Sequence, residues 1–506
     1  MPEATLVVGA GSAGAVIAAR ATERSDREVL LIEAGPDYGA EASLPRDLHD
    51  GGRNSMRAHD WGLRHRVNRD QVMFAFPRGR VVGGSSAVNT CIAIRGQPYD
   101  YDEWELPDWR WDEVLPAFRR LERDLDFGHQ HDVHGDAGPI PLRRHPPSEL
   151  VPWQRAFVAA ARALGFPDCP DHNRPMTHGV GPHAMNKIDG QRMNAARCYL
   201  GPAVRARDNL RIRPETTVRR VRIVNRRVVG LEVETRGVVE VLPASRVVLS
   251  AGAIATPPIL IRSGIGPRAL VERLGVESIV DLPAVGARLL DHPGAALFFA
   301  PTHWLDNLHH PLIQTALRFT SKGSEYPFDL QMQAGSHVSF PDGLTLPLVS
   351  LMAQVGKPKG FGALEIHSAD PHSLPRIHSR ILEHPDDRAR MAEAMELAWL
   401  LATGPEMRGM ARFFFPACES TMRRRSSVEA FLPRSCDSGY HPSGTVPMGA
   451  DGDPRAALDG RGRVRGVEGL FVADASIMPT IPSANTNLPT LMIGEKFGAW
   501  LRDGGL

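Results

Sequence analysis

Cysteine is scarce in this sequence of 506 residues. Its five cysteines are scattered and no two form a CxxC pair, so the sequence predicts neither a disulfide framework nor a structural zinc site. Because isolated thiols are typical of reducing compartments, we expect a cytoplasmic protein. A secretory leader is not recognisable at the start, and no run of about 18 apolar residues occurs anywhere. Secretion and a membrane span are therefore not expected.

An excess of charge of one sign is also lacking. The 59 Lys and Arg residues nearly balance the 58 Asp and Glu residues, which gives a formal net charge of +1. A polyanionic partner usually requires a strongly basic protein, so no nucleic-acid partner is predicted. With 506 residues, the chain exceeds what one hydrophobic core usually supports, and two domains are expected.

The first informative motif is a glycine-rich turn between a strand and a helix, in the segment ATLVVGAGSAGAVIAAR. Gly9, Gly11 and Gly14 form a GxGxxG pattern there. These glycines allow a tight turn and a close approach of the backbone to a pyrophosphate at the helix N-terminus. A second strand follows, and Glu33 at its end is spaced to bond the hydroxyls of a ribose. The motif predicts an ADP-ribose site, for which NAD and FAD are both candidates.

A second glycine-rich segment, PRGRVVGGSSAVN, begins at Pro77. Gly83 and Gly84, two serines and Asn89 supply consecutive backbone N–H groups and small side chains. Such a loop can lie against a flat aromatic cofactor or its phosphates. As a bare pattern, the segment fits a tight turn equally well.

Far from both glycine segments, His441 follows Tyr440 in the segment GYHPSGTVPMG. Pro442 biases the histidine towards an extended backbone, and the turn that follows places it at the edge of a loop. The pKa of histidine suits a base that accepts the proton of an alcohol. On the residues alone, a catalytic base, a buried structural histidine and a metal ligand are all open. Because no H-x-H or HExxH pattern accompanies His441, no metal is predicted.

Seven segments in order along the chain resemble the glucose–methanol–choline (GMC) family of flavoprotein oxidoreductases. They are GAGSAG, LLIEAG, PRGRVVGGSSAVN, VVLSAGAIATPPILIRSGIGP, DLPAVGARLLDHP, YHPSGTVPMG and VADASIMPTIPSANTNLPTLMIGEK. The last segment looks most like the choline dehydrogenase branch, which includes oxidases of the hydroxymethylfurfural type. The resemblance implies that FAD is the cofactor and that an alcohol is the substrate.

The resemblance also implies a two-domain fold. An α/β domain of Rossmann-like type would bind FAD, and an α+β domain with an antiparallel sheet would bind the substrate. The FAD-binding domain is expected to comprise residues 1–145, 192–295 and 438–506. The substrate domain is expected to comprise residues 146–191 and 296–437.

By the same resemblance, cofactor-binding residues lie in several separate segments. They are Gly9, Gly11, Ser12, Ala13, Gly14, Glu33, Ala34, Arg80, Gly83, Gly84, Ser86, Asn89, Val218, Ala251, Gly252, Tyr440, Asp474, Ala475, Asn487 and Pro489. Pro489 is expected to begin the last helix at its first position. Some family members link FAD covalently through a histidine just before the asparagine of the second glycine loop. Val88 occupies that position here, so a noncovalent FAD is predicted.

The resemblance assigns the chemistry to two residues. His441 matches the family's catalytic base, and Asn485, nine residues after Ser476, matches its partner. Asparagine cannot titrate, but it can donate a hydrogen bond to the alcohol oxygen. Independently, the alternation in FDLQMQAGS predicts a half-buried strand with Gln331 and Gln333 on one face, which would line the substrate cavity or contact solvent.

The expected reaction is the oxidation of a primary aromatic, furanic or aliphatic alcohol to the aldehyde by hydride transfer to flavin N5. O₂, a quinone-like compound or a protein would then accept the electrons. The sequence shows no obvious acidic cluster for a quaternary ammonium, which is a faint argument against choline. Two alternatives remain open: a hydroxynitrile lyase on the same fold, and a flavin dehydrogenase for a peptide-derived redox carrier.

Overall fold

The protein is organised around one parallel sheet and one large antiparallel sheet. The computed structural model describes residues 4–39, 43–55, 57–302, 307–339, 344–415 and 419–506. None of the helices in these ranges is long and apolar enough to cross a membrane. Cys91, Cys169, Cys198 and Cys436 are free thiols, and Cys418 lies outside the described residues.

The parallel sheet has five strands. In spatial order they are Leu210–Arg213, Val29–Ile32, Thr5–Val8, Val247–Leu249 and Leu470–Val472. The three central strands are short and almost entirely apolar and buried, which is typical of a parallel sheet covered on both faces. The helices Gly14–Ala21 and Asn487–Asp503 pack against each other, and a Cβ at Gly494 would lie 2.8 Å from the Val16 Cβ. Glycine at 494 therefore allows the two helices to approach closely.

The antiparallel sheet has seven strands. In spatial order six are Ala411–Phe415, Pro293–Pro301, Val349–Val355, Leu330–Gly335, Thr315–Phe319 and Gly179–Pro182, and Cys436–Ser438 pairs with Pro293–Pro301. The helices Pro152–Ala163 and Pro385–Thr403 cover one face. In the strand Val349–Val355, alternate residues from Val349 pack into the hydrophobic core between the sheet and these two helices. Ser350, Met352 and Gln354 line a cavity on the other face.

Smaller sheets complete the strand content. One contains Thr216–Val224, Arg227–Thr235 and Val238–Pro243, and another contains Ala363–Glu365, Arg376–His378, Arg64–Arg66 and Met73–Ala75. Two-stranded pairs are Ile265–Gly266 with Val280–Asp281, Val338–Ser339 with Thr345–Leu346, Glu122–Asp124 with Ile140–Leu142, and Lys187–Ile188 with Gln191–Arg192. The other α-helices are Arg46–His49, Pro98–Asp102, Trp111–Leu121, Ala195–Tyr199, Pro202–Arg205, Gly252–Arg262, Arg268–Arg273, Glu419–Met422 and Arg425–Phe431.

The predicted fold class is confirmed: a Rossmann-like parallel sheet is joined to an antiparallel sheet that carries helices on one face. The domain boundaries predicted from the sequence remain a proposal. All five parallel strands lie in the segments assigned to the FAD-binding domain. However, the four-stranded sheet pairs residues 64–75 with residues 363–378, which were assigned to different domains.

The last helix begins earlier than predicted. It starts at Asn487, after Thr486 as N-cap, so Pro489 is its third residue and not its first. Proline is tolerated there because the N–H groups of the first turn have no acceptor within the helix.

Candidate active site

One cavity of about 630 Å³ runs between the two sheets, along the carboxyl ends of the parallel strands. Ligands of open α/β folds bind at this edge. Among the residues predicted from the sequence, those that line it are Gly9, Gly11, Ser12, Ala13, Glu33, Ala34, Gly84, Asn89, Val218, Ala251, Gly252, Gln331, Gln333, Tyr440, His441, Asp474, Ala475, Asn485 and Asn487. Segments far apart in the sequence therefore meet around a single space.

The two glycine loops touch each other at one end of the cavity. A Cβ at Gly84 would lie 2.6 Å from the Gly11 Cα, and a Cβ at Gly14 would lie 1.9 Å from the Gly9 carbonyl oxygen. Gly9 itself has a φ of 94°, a conformation that side chains disfavour. Backbone rather than side chains therefore lines this part of the cavity.

Glu33 bonds to the glycine turn. Its Oε2 accepts the N–H of Ala10 at 2.9 Å, and its Oε1 accepts the N–H of Gly35 at 2.8 Å. Burial raises the pKa of this carboxyl group, although the backbone N–H groups oppose the shift. Glu33 thus fixes the turn in addition to facing the cavity, where the ribose interaction was predicted.

Five predicted cofactor residues lie outside the lining and support its loops instead. They are Gly14, Arg80, Gly83, Ser86 and Pro489. The Ser86 hydroxyl donates to the Gly83 carbonyl at 2.6 Å and accepts the N–H of Ala195 at 3.0 Å. The Arg80 guanidinium lies 5.0 Å from the centre of the Trp61 ring, and Trp61 lines the cavity. These five residues therefore support the loops of the cavity and do not line it themselves.

His441 lies on the cavity wall between three side chains. Its Nδ1 is 2.9 Å from Nδ1 of His292 and 3.0 Å from Nε2 of Gln354, and its Nε2 is 3.0 Å from Nδ2 of Asn485. The Asp291 carboxylate accepts the backbone N–H of His441 at 2.8 Å. The predicted pair of His441 and Asn485 is therefore adjacent in space.

The hydrogen bonds of His292 determine which nitrogen of His441 carries a proton. His292 Nε2 lies 3.1 Å from the Gly356 carbonyl oxygen and 2.9 Å from that of Pro482. Carbonyl oxygens only accept, so His292 Nε2 carries hydrogen and its Nδ1 is the acceptor. His441 must then donate from Nδ1, which leaves Nε2 unprotonated towards Asn485 and the cavity.

The Gln354 amide fits the same arrangement. Its two ends are interchangeable in shape, and with its oxygen towards His441 it is a second acceptor for Nδ1–H. The Gln354 side chain can lie in this position only because residue 439 is glycine. A Cβ at 439 would lie 2.6 Å from Nε2 of Gln354. His292 therefore determines the tautomer of His441, and Gln354 is compatible with it in the flipped orientation.

Both histidines are neutral near neutral pH. Burial lowers the pKa of His292 to about 4. Burial also lowers the pKa of His441 well below its usual value, with further lowering by His292 and by the Arg78 guanidinium. Although the ring edge of His441 is partly accessible from the cavity, the direction of the shift is the same for all three causes. His441 is thus unprotonated and competent to accept a proton.

Sequence reasoning missed His292, Gln354, Arg78 and Trp61. His292 belongs to the quoted segment DLPAVGARLLDHP, whose Asp-His-Pro end was a detectable signal without an assigned role. Arg78 lies in PRGRVVGGSSAVN and donates to the Tyr440 carbonyl at 2.9 Å. No local pattern marks Gln354, because its position depends on strand pairing across the antiparallel sheet.

Glu122, Asp124 and His134 form one of two groups of potential metal ligands in the described ranges, and it is the one that is fully buried. The Arg95 guanidinium pairs with Glu122, and Arg144 donates to Asp124 at 2.9 Å. Guanidinium groups already neutralise these carboxylates, so the set is a structural ion network.

The residues present fit a flavin dinucleotide. A glycine turn that exposes backbone N–H groups lines one end, and a hydrogen-bonding histidine lies on the wall further along. Asn487 accepts from the Ser12 hydroxyl at 2.9 Å, while its buried Nδ2 has no partner among the described residues. Such a donor is available to a polar cofactor. The fold and the site therefore define a dinucleotide-dependent oxidoreductase.

The chain is similar to known oxidoreductases along its length. Models described as GMC oxidoreductase match residues 3–294 and 358–494. A 5-(hydroxymethyl)furfural oxidase of a Methylovorus species is 34% identical over 97% of both chains. An oxygen-dependent choline dehydrogenase of Photobacterium profundum is 32% identical over 97% of this chain and 91% of the relative. The crystal structure of pyridoxine 4-oxidase from Mesorbium loti has a TM-score of 0.88 at 30% identity, with 98% of each chain covered.

The protein belongs to the GMC oxidoreductase family, as the resemblance of its motifs predicted. It is accordingly a flavoprotein of the FAD-dependent type that acts on the CH–OH group of alcohols.

We predict that His292→Leu impairs the base without removing it. His441 loses the His292 acceptor of its Nδ1–H and keeps only Gln354, and reduction of the flavin by an alcohol should slow at least about 10-fold. Because His292 also lowers the pKa of His441, the variant's acid limb in a pH profile of the reduction rate should move to higher pH. Stopped-flow absorbance between about pH 5 and 9 measures both effects.

The matched control is His172→Leu, which removes another fully buried histidine. General damage to packing would slow both variants, but only His292→Leu should displace the pH profile. An unchanged profile in His292→Leu would contradict the positioning role.

Proposed function

We propose that the protein oxidises a primary alcohol to the aldehyde, with His441 as the base and FAD as the hydride acceptor. The supporting observation is the pair of His441 Nε2 and Asn485 Nδ2, 3.0 Å apart, on the wall of the cavity that the glycine loops also line. FAD supplies, when bound, an electrophilic flavin N5 that takes hydride from the alcohol carbon. The protein's own residues provide the proton chemistry and the orientation.

His441 accepts the hydroxyl proton in this proposal. Its depressed pKa leaves Nε2 unprotonated at neutral pH, and its Nδ1–H remains bonded to His292 throughout. Once His441 is protonated at Nε2, its Nδ1–H still points to His292 and Gln354, which hold the ring in place. His292 and Gln354 are therefore positioning residues.

Asn485 orients the alcohol in this proposal. Its Nδ2 donates towards His441 Nε2 and can donate instead to an alcohol oxygen that enters between them. The Oδ1 atom of Asn485 is buried and has no partner in the part of the chain that the structure describes, so no described residue competes for the amide there. This freedom favours a role in contacting substrate.

We predict that the His441→Ala variant retains FAD. An alcohol substrate should reduce this FAD about 100- to 10,000-fold more slowly than it reduces the FAD of the unsubstituted protein. Loss of the yellow flavin band under anaerobic conditions measures the rate. His131→Ala, which changes an exposed histidine outside the cavity, is the control and should be unaffected. Near-normal reduction by His441→Ala would reject the base. A lyase without redox turnover would show no bleaching even in the unsubstituted protein.

FAD is proposed to be noncovalent, because Val88 lines the cavity where covalent members of the family carry histidine. An aliphatic side chain supplies no nucleophile for a bond to the flavin. Acid precipitation of the holoprotein should therefore leave all the flavin in the supernatant, measured by its absorbance. Yellow pellets would contradict the proposal.

O₂ is the proposed electron acceptor, and a quinone-like compound or a protein is the alternative. The names of two relatives, an oxidase and an oxygen-dependent dehydrogenase, favour O₂. After anaerobic reduction by alcohol, admission of air should restore the flavin absorbance promptly and yield peroxide. Slow reoxidation that a quinone accelerates would indicate the alternative.

A cytoplasmic location is part of the proposal. The four cysteines within the described ranges are free thiols, which is what a reducing compartment favours.

Aromatic, furanic and aliphatic primary alcohols are the proposed substrates, and the furan alcohol in the name of one relative supports the furanic class.

A further inference from the structure

The residue that precedes His441 has a strained backbone. Tyr440 has a φ of 60°, in the left-handed region that a bulky side chain rarely adopts. Such a conformation costs free energy and persists only where the surrounding contacts hold it. The contacts of Tyr440 therefore determine how the chain presents His441.

Two side chains hold opposite ends of the peptide group that joins Tyr440 to His441. Arg78 donates from Nη2 to the carbonyl oxygen of this group at 2.9 Å. Asp291 accepts the N–H of the same group at 2.8 Å. Because a peptide group is planar, bonds to both its oxygen and its N–H fix the orientation of the backbone from which the His441 ring projects.

The other hydrogen bonds of Tyr440 leave its carbonyl to Arg78. The Tyr440 N–H donates to the Ser438 hydroxyl at 2.7 Å, and its phenol donates to Asp437 at 2.9 Å. The Ser438 hydroxyl in turn donates to Asp291. Among the described residues, only Arg78 donates to the carbonyl oxygen of Tyr440.

Arg78 is itself anchored beside the second glycine loop. Its guanidinium lies 5.0 Å from the centre of the Phe76 ring. The next residue, Gly79, packs against the loop, since a Cβ there would lie 2.3 Å from the carbonyl oxygen of Gly84. Gly84 lines the end of the cavity that fits the cofactor. The bond from Arg78 to Tyr440 therefore connects the base to this loop.

The guanidinium of Arg78 lines the cavity without a carboxylate partner within the described ranges. Asp60 accepts the backbone N–H of Arg78 at 2.7 Å, and attraction by Asp291 partly offsets the cost of burying the charge. The positive charge also lowers the pKa of His441, to which burial and His292 contribute as well. Arg78 thus acts on the base both through a hydrogen bond and through its charge.

We propose that Arg78 is a positioning residue for the base: it holds the Tyr440 carbonyl, maintains the left-handed backbone of Tyr440 and thereby directs the His441 ring into the cavity. This inference rests on the proposed function, in which His441 is the base. Arg78 need not contact the substrate for this role.

Replacement of Arg78 tests the bond and the charge together. The Arg78→Met variant should retain FAD, and an alcohol should reduce this FAD about 10- to 100-fold more slowly. Because loss of the cation raises the pKa of His441, the acid limb of the pH profile should move to higher pH. Stopped-flow absorbance measures both effects. The other ionisable groups around Arg78 and the base are retained, namely Asp60, Asp291, Asp437, His65 and His292.

The conservative variant separates positioning from general damage. Arg78→Lys keeps the charge, so the acid limb should stay in place and part of the rate should return. Arg64→Met is the matched control, because Arg64 is exposed, lies outside the cavity and also donates to a carbonyl oxygen, at 2.8 Å. An unchanged rate and an unchanged acid limb in Arg78→Met would overturn the inference.

Two substitutions of Tyr440 test the strained backbone itself. Tyr440→Asn and Tyr440→Thr both remove the ring and the phenol, but asparagine tolerates the left-handed region and the β-branched threonine does not. FAD in the asparagine variant should be reduced about 10-fold faster than FAD in the threonine variant. Equal rates would contradict a role for this conformation.

A crystal structure of the Arg78→Met variant tests the geometry without turnover. The Tyr440 carbonyl should rotate, and the distance between His441 Nε2 and Asn485 Nδ2 should increase from 3.0 Å. An unchanged φ at Tyr440 together with an unchanged distance would overturn the inference whatever the activity. If His441→Ala is slow and Arg78→Met is not, the inference alone fails. If FAD in His441→Ala is reduced at the normal rate, the proposed function fails, and the inference fails with it.

Discussion

Two backbone carbonyl groups determine the protonation pattern of the whole site. The oxygens of Gly356 and Pro482 both accept from His292 Nε2, so that ring must present its bare Nδ1 to His441. His441 is then left with an unprotonated Nε2 on the cavity side. The two carbonyls belong to segments that are far apart in the sequence, so the tautomer of the base depends on the assembly of both sheets.

The cavity depends in a similar way on the close approach of backbone segments. Glycines at 11 and 84 bring two loops into contact, and glycine at 494 brings the last helix against the first. Ser12 and Asn487 join these elements by a hydrogen bond at 2.9 Å. The region that fits the cofactor is thus formed by chain ends and interior segments together, which explains why its motifs are dispersed.

Motifs with strict local geometry could be predicted from the sequence. The GxGxxG turn and the second glycine loop line one cavity, and the strand with Gln331 and Gln333 lies on its wall. The pair of His441 and Asn485, which also lines the cavity, was indicated by the family resemblance and not by local geometry. Contacts that depend on register could not be predicted. Gln354 reaches His441 only because its strand pairs with two others, and no local pattern encodes that pairing. The start of the last helix was misplaced by two residues because proline is tolerated throughout the first turn.

The four-stranded sheet has a consequence for how molecules enter. The strand Arg376–His378 runs parallel to Arg64–Arg66, and Ser379 and Ile381 continue the pairing by donating to the carbonyls of Arg66 and Val67. A rigid-body separation of the parallel and antiparallel sheets would break these hydrogen bonds without forming others. Entry of a molecule that leaves this pairing intact therefore requires movement of side chains or loops and not separation of the two large sheets.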